Sequence, residues 1–123
     1  MMYTRNKSDA PTGNLEGLVS YFMLRGKDVP TANLTVTWVE VQPGAKQPFH
    51  QHLPEQIYVI IQGQGKMRVG DDYQDVAVGD IVYVPSETIH GLENTDDEVL
   101  MYVSAATPVL DVDKAYGPDG DYV

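Results

Sequence analysis

The stretch PFHQHLPEQIYVI, residues 48–60, places two of the chain's three histidines one residue apart, just ahead of a run rich in β-branched residues. In an extended strand, residues i and i+2 point to the same face, so His50 and His52 can converge on one point. Gln56 keeps that parity if the chain stays extended, whereas Glu55 has the opposite parity. The stretch therefore predicts a cluster of two imidazoles with an amide beside it.

The third histidine, His90, follows the apolar run IVYVP (81–85) and the turn residues SETI. Imidazole nitrogens bind zinc, iron, manganese, nickel and cobalt, and the absence of cysteine leaves only nitrogen and oxygen ligands for any such ion. A divalent metal ion is thus one interpretation of the three histidines. The spacing alone leaves open a second one, in which they are exposed loop residues with no common role.

The composition limits the partners of the protein. A chain of 123 residues is most simply one domain, and its net charge of −10 argues against a nucleic-acid partner. No run approaches the roughly 20 apolar residues of a membrane span, and the N-terminal residues have no apolar signal region. We therefore expect a cytoplasmic protein without nucleic-acid or membrane partners.

The hydrophobic pattern is that of an all-β protein, because short alternating runs are separated by Gly, Pro, Asn and Asp. A hairpin is indicated at GDD (70–72), loops are predicted over 25–33 and 43–48, a turn over 62–65, and a turn of helix within 111–117. Spacing of this kind is typical of a sandwich or barrel. The predicted strands cover residues 18–24, 34–42, 57–61, 66–69, 73–78, 81–85, 90–94 and 98–105.

Two stretches resemble the two sequence motifs of the cupin superfamily, in the right order and at matching spacings. The first motif, G-x5-H-x-H-x3,4-E-x6-G, is matched by Gly44, His50, His52, Gln56 and Gly63, with three residues between His52 and Gln56. The second motif, G-x5-P-x-G-x2-H-x3-N, is matched by Gly79, Pro85, Glu87, His90 and Asn94.

The resemblance implies a cupin-type antiparallel β-barrel, also called a double-stranded β-helix or jelly roll, with a metal site inside. We expect an N-terminal extension over 1–17, the barrel over 18–110 and a C-terminal tail over 111–123. All histidines of the chain fall on metal-ligand positions of the motifs, and the resemblance also implies a homodimer. The metal ligands implied in this way are His50, His52, Gln56 and His90.

The chain departs from the motifs at two positions. Gln56 replaces the glutamate ligand, and a neutral amide oxygen would leave a divalent site with a higher net positive charge. Glu55 is the alternative carboxylate if it turns inward. Glu87 replaces a glycine in a turn, and because a glutamate avoids positive φ, the backbone there is expected to differ.

Other side chains have both a structural and a functional interpretation. Tyr58 is a candidate catalytic acid if its hydroxyl reaches the site, although such a tyrosine is more often packed. Trp38, Met67 and Met101 are expected to fill the core rather than line a pocket. Lys66 and Arg68, two apart on one strand face, favour a solvated face over an anion site.

The pattern as a whole favours an enzyme that uses a divalent metal to polarise or oxidise a small oxygenated organic substrate, of the cyclase, isomerase or dioxygenase type. A non-catalytic small-molecule-binding module, or a cupin in which the metal is only structural, is the alternative.

Overall fold

A computed structural model describes residues 1–112 of the chain, in which ten β-strands and one short 3-10 helix form. Residues 113–123 lie outside the described part, so the predicted tail and most of the helical turn over 111–117 stay predictions. Among the described residues, no helix is long and apolar enough to cross a membrane. The 3-10 helix is Lys7–Asp9, and the strands are β1 (Thr12–Leu15), β2 (Leu18–Leu24), β3 (Thr35–Val41), β4 (Lys46–His50), β5 (Glu55–Gln62), β6 (Gln64–Val69), β7 (Asp72–Ala77), β8 (Ile81–Val84), β9 (His90–Asn94) and β10 (Leu100–Thr107).

The strands form two sheets in which every neighbouring pair is antiparallel. One sheet has six strands in the order β1-β2-β3-β10-β5-β8, and the other has four in the order β4-β9-β6-β7. The predicted all-β antiparallel architecture is therefore confirmed. The GDD hairpin is also present, since β6 and β7 are joined through Gly70 and Asp71.

The core lies between the two sheets and follows from the period of two along each strand. In β3 the inward residues are buried and the outward ones are half-buried, and β10 repeats the pattern. Burial of this apolar set is the main stabilising term of the fold. The central cluster comprises Leu18, Val39, Val41, Tyr58, Ile60, Met67, Val76, Val84, Leu92, Leu100 and Tyr102.

Several local expectations were wrong. The predicted loop over 43–48 is shorter than expected, because Lys46–His50 forms β4. The proline at position 48 argued against a strand, but β4 lies at the edge of its sheet, where proline is tolerated. The predicted turn over 62–65 narrows to Gly63. Trp38 and Met101 point away from the core instead of filling it, because they occupy outward positions of β3 and β10.

The backbone at Glu87 also differs from expectation. Its φ of 59° is the left-handed conformation for which the motif's glycine is suited, although a side chain is present. The conformation is held because the Glu87 backbone N–H donates to the carbonyl of His52 at 2.8 Å. A local steric preference is thus overridden by a contact between two loops.

The N-terminal residues are tied to the barrel by charge. The carboxylate of Asp28, in the connection between β2 and β3, accepts hydrogen bonds from both Arg5 and Arg25 at 2.9–3.2 Å. Lys7 forms an ion pair with Glu40 on β3. Residues 1–17 also contribute β1, and the division of the chain at residues 17 and 110 stays a prediction.

Candidate metal centre

Three imidazoles meet at one end of the space between the sheets. His50 ends β4 and pairs in register with His90 at the start of β9, whereas His52 lies in the loop before β5. Ring centroids are 4.1 Å apart for His50 and His90, and 4.9 Å for His52 and His90. One ring nitrogen from each histidine lies within 4.8 Å of the other two, so the three histidines can hold one metal ion.

The convergence does not arise from one continuous strand, as the parity of the sequence suggested. The chain leaves β4 after His50, bends over Leu53 and Pro54, and re-enters a strand at Glu55. The six-stranded sheet therefore supplies Gln56, whereas His50 and His90 belong to the four-stranded sheet. The inward parity of Gln56 within β5 is nevertheless as predicted, since Gln56 is buried.

Each histidine is oriented by a backbone carbonyl. The Nδ1 atoms of His50, His52 and His90 lie 2.7–2.8 Å from the carbonyl oxygens of Pro48, Pro54 and Thr88, in that order. A carbonyl oxygen can only accept, so Nδ1 must carry the proton in each ring. In the neutral ring Nε2 then presents a lone pair, which is the arrangement by which carbonyl groups orient metal-binding histidines.

The environment keeps two of the rings uncharged. Burial lowers the pKa of His50 to about 3, and the neighbouring His90 lowers it further. Burial likewise lowers the pKa of His90 to about 4. At neutral pH both rings are therefore neutral, with an Nε2 lone pair available to a cation.

The amide of Gln56 completes the cluster. Its Oε1 lies 3.1 Å from His52 Nε2 and 3.2 Å from His90 Nε2. Glu55 is directed away, on the opposite face of β5, where its carboxylate accepts a hydrogen bond from the Tyr83 hydroxyl at 3.0 Å. The residue that faces the histidines is thus the amide rather than the carboxylate.

The donor set fits a metal ion. With Nδ1 protonated and the ring neutral, His90 Nε2 faces the Gln56 oxygen as one lone-pair donor facing another. Two ligand atoms about 2.1 Å from one ion, at roughly right angles, lie about 3.0 Å apart, close to the separations seen. A cation at the centre would turn mutual repulsion between acceptors into attraction.

The hydroxyl of Tyr58 has a partner within the core. It donates to Gln47 Oε1 at 2.5 Å, and the ring stacks on Tyr102 with centroids 4.7 Å apart. The edge-on contact with His90 has a centroid distance of 6.1 Å. Tyr58 is therefore packed beside the histidines, and Gln47 is a buried polar residue that the sequence analysis placed in a loop.

The turn between β8 and β9 is hydrogen-bonded to the loop that carries His52. The Ser86 hydroxyl donates to the carbonyl of Leu53 at 2.5 Å, and the Glu87 backbone N–H donates to that of His52. His52 is the one histidine of the three that no strand fixes, so this clasp determines where its ring lies. The motif spacing gave no sign of it, because both hydrogen bonds depend on carbonyls of a different loop.

Comparisons with known proteins agree with this geometry. A protein-family model described as "Cupin domain" matches residues 37–106. An uncharacterized protein of Methanocaldococcus jannaschii is 33% identical over 69 residues, which are 55% of this chain and 55% of that protein. Auxin-binding protein 1 of Arabidopsis thaliana is 24% identical over 115 residues, covering 81% of this chain and 58% of that protein. The chain thus spans little more than half the length of these two relatives.

Solved structures show the same fold at low sequence identity. An RmlC-like cupin of Shewanella frigidimarina superposes with a TM-score of 0.77 at 15% identity, covering 91% of this chain and 96% of that one. The polyketide cyclase RemF of Streptomyces resistomycificus superposes with a TM-score of 0.74 at 18% identity, covering 87% of this chain and 80% of that one. The oxalate decarboxylase of Bacillus subtilis, which contains Mn(II) centres, superposes with a TM-score of 0.77 at 19% identity. The match covers 87% of this chain and 29% of that one.

Proposed function

Because the chain belongs to the cupin-domain family, we propose that it is a small metal-dependent enzyme that acts on a small oxygenated organic molecule. The ligands in this proposal are His50, His52, His90 and Gln56. The bound divalent ion, which is zinc, iron, manganese, nickel or cobalt, would supply Lewis-acid or redox activation of a substrate oxygen. The reaction type is that of a cyclase or isomerase, or of a dioxygenase.

One observation carries the proposal: the Nε2 lone pair of His90 faces the Gln56 oxygen at 3.2 Å, beside two further imidazoles. The backbone carbonyls of Pro48, Pro54 and Thr88 fix the tautomers, and the Gln56 oxygen lies 3.1 and 3.2 Å from two of the Nε2 atoms. A purely structural cluster of buried polar groups would instead pair donors with acceptors.

The charge of the donor set supports a catalytic site. All four donors are neutral, so a divalent ion would keep its full charge of two, whereas a carboxylate ligand would reduce it to one. A more positive site favours an anionic substrate or intermediate and acidifies bound water more strongly. Four ligands also leave a position open on any ion that accepts five or six.

Tyr58 remains a candidate acid–base residue in this proposal. Its ring lies edge-on to His90, and its proton is held between its own oxygen and Gln47 Oε1. Gln47 would keep the hydroxyl oriented while the site is filled. Substitution of Tyr58 by phenylalanine would remove the proton and keep the ring packing against Tyr102.

A non-catalytic binding role is the second candidate. Auxin-binding protein 1, whose name denotes a binding function, is among the relatives and aligns with 81% of this chain. In that case the same donor set would hold an ion that anchors a small ligand without turnover. A small-molecule ligand is common to both candidates.

Cobalt(II) loading tests the metal site and its open position together. We expect one equivalent of cobalt to bind with visible d–d bands, and a small anion such as azide to shift those bands if a position is open. His90→Ala should abolish the bands. Bands that azide leaves unchanged would favour a structural ion, and a chain that binds no metal would refute the site.

A turnover assay distinguishes a catalytic function from a binding function. The metal-loaded chain would be incubated with a panel of small keto and hydroxy acids, followed by mass spectrometry, with Gln56→Glu as the matched variant. Product formation supports the enzyme. Stoichiometric retention of an acid without product supports the binder.

A further inference from the structure

The basic residues of the chain are unevenly distributed. The chain has 18 acidic residues and only eight lysines and arginines, so carboxylate partners are in excess. Arg5, Lys7 and Arg25 each form an ion pair with one of them. By contrast, three basic residues on the outer face of the four-stranded sheet form no ion pair with any residue in 1–112. They are Lys46 on β4 and Lys66 and Arg68 on β6.

The side chain of Arg68 is held in place by its neighbours. Its Nε–H donates to the carbonyl of Gly70 at 2.8 Å. The central carbon of its guanidinium lies 4.7 Å from the ring centroid of Phe49 and 5.4 Å from that of Tyr73. Within residues 1–112 neither terminal nitrogen has a hydrogen-bond partner. The fork of the guanidinium, which matches two oxygens of a phosphate or carboxylate, is therefore available.

The ring of Phe49 lies close to the sheet because the residue beneath it is glycine. Gly91 on β9 pairs in register with Arg68 on β6. A Cβ atom at position 91 would lie 2.6 Å from Phe49 Cδ1 and 2.9 Å from the carbonyl oxygen of Gln47. Both distances are well below the roughly 3.5–4.0 Å of an ordinary contact between heavy atoms. The ring that supports the guanidinium is thus seated by the packing of the sheet.

A small depression of about 90 Å³ lies beside this guanidinium. Lys46 and Lys66 also line it, in one row with Glu93 between them. Three cations and one carboxylate give the lining a net charge of +2, although the chain as a whole carries −10. The volume is well below the roughly 300–1,000 Å³ of a site that encloses a whole ligand, so it suits a single anionic group.

We propose that this depression binds the phosphate group of a small organic phosphate, whose apolar part lies over the rings of Phe49 and Tyr73. A phosphate monoester carries a charge of about −1.5 to −2 at neutral pH, which several cations can share, whereas a single carboxylate carries −1. Phe49 is 49% exposed and Tyr73 is 54% exposed, so both rings offer apolar surface to the ligand. His50 and His90 are directed to the other face of the sheet, so the two sites share no residue.

An NMR titration of the full chain with phenyl phosphate tests the proposal, because amide shifts locate the bound anion. We expect saturable shifts around Arg68 and Gly91, with a dissociation constant on the order of 1 mM at low salt. Benzoate, which has the same ring and a single charge, should bind at least about threefold more weakly. Titrations with and without zinc separate this site from the metal centre, since only the latter requires the ion.

Three variants test which side chains bind the anion. Arg68→Gln should weaken binding at least about tenfold, because a charged, forked contact is lost. Glu93→Gln should strengthen it about threefold, because it removes a carboxylate from the lining. The matched control is Lys27→Gln, which alters the net charge as Arg68→Gln does, at an exposed residue that does not line the depression. It should leave the affinity unchanged.

The outcomes are distinct. Affinity that falls with Arg68→Gln, rises with Glu93→Gln and is unaltered by Lys27→Gln supports the site. The proposal is overturned if no saturable shifts appear, if the shifts require zinc, if benzoate binds equally well, or if Arg68→Gln and Lys27→Gln weaken binding alike. Should circular dichroism show that Arg68→Gln does not fold, the direction of the effect of Glu93→Gln decides. A chain that binds no metal would leave these results unchanged, so the proposed function is tested separately.

Discussion

At the scale of single residues, Gln56 decides the charge of the candidate metal centre. Its oxygen faces His52 and His90, while the neighbouring carboxylate of Glu55 turns outward to Tyr83. The side chains of Gln56 and Glu55 differ by one heavy atom and one charge, and they lie on opposite faces of β5. They therefore offer a matched pair for testing which side chain binds the ion.

Gln56→Glu should tighten binding of a divalent metal at least about tenfold, which is about 1.4 kcal/mol, because it places a negative charge in contact with the ion. Isothermal titration with zinc or manganese measures this change. Glu55→Gln removes a carboxylate one residue away and should leave the affinity unaltered. Equal affinities of the wild type and Gln56→Glu would mean that Gln56 is not a ligand.

Glu87 is a second residue whose local conformation can be tested. A side chain at φ 59° costs roughly 1–2 kcal/mol, whereas glycine adopts this angle freely but loses more entropy on folding. We expect Glu87→Gly to raise the free energy of unfolding by about 0.5–1 kcal/mol, measured in urea. Glu87→Gln, which removes the charge and keeps the strain, is the comparison. If Glu87→Gly is no more stable than Glu87→Gln, the backbone at position 87 is not strained.

At the scale of elements, the sequence predicted well where an alternating pattern is uninterrupted. The strand predicted over 90–94 coincides with β9, and residues 18–24 coincide with β2. The missed strands are β1 and β4, in which the residues TGNL and KQPFH lack a clear apolar alternation. Their strand state is imposed by pairing with β2 and β9, a long-range contact that no local propensity encodes.

The candidate site was predictable to a similar degree. The spacing of the motifs and the parity of Gln56 placed four side chains together. The three orienting carbonyls and the Ser86 clasp were not predictable, because they arise from loops that meet only after the sheets have formed. Likewise, nothing in the sequence around Glu87 indicates that its N–H finds the His52 carbonyl.

The charged clasp at Asp28 joins the N-terminal segment to the β2–β3 connection and makes stability depend on pH. Hydrogen bonds from the Arg25 guanidinium, together with those from Arg5, hold the pKa of the Asp28 carboxyl well below its ordinary range. The side chain is only 8% exposed, so solvent screens it little. Because the folded carboxyl has the lower pKa, its contribution is present above about pH 4 and is lost as the pH falls further.

Asp28→Asn should therefore lower the free energy of unfolding by about 2–4 kcal/mol at pH 7, since two guanidinium groups lose a carboxylate partner. The difference from the wild type should shrink as the pH is lowered below about 4. Urea titrations at several pH values measure this. A difference that stays constant down to pH 2 would show that the carboxylate charge is not responsible.

At the scale of the whole molecule, the apolar core is continuous without the site. Leu18, Val41, Ile60, Leu92 and Leu100 pack between the sheets as members of one cluster. Chelation should therefore leave the protein folded, with a loss of about 1–3 kcal/mol from the lost binding energy. Thermal melts with and without chelator test this. Unfolding of the metal-free chain at room temperature would favour a structural ion over a catalytic one.

The positions of the proposed ligands also give that ion a mechanical role. His50 and His90 belong to the four-stranded sheet and Gln56 to the six-stranded sheet, so a bound ion would pin the two layers together at one end only. Its removal should let the two sheets separate transiently at that end. At the far end they should stay together, because the Asn94 side chain of the four-stranded sheet donates to the Val41 carbonyl of the six-stranded sheet. Amide hydrogen exchange would then show a gradient along β5 and β9, fastest near Gln56 and His90. Uniformly faster amide exchange along both strands would mean that the ion stabilises the whole molecule rather than holding the two sheets together at one end.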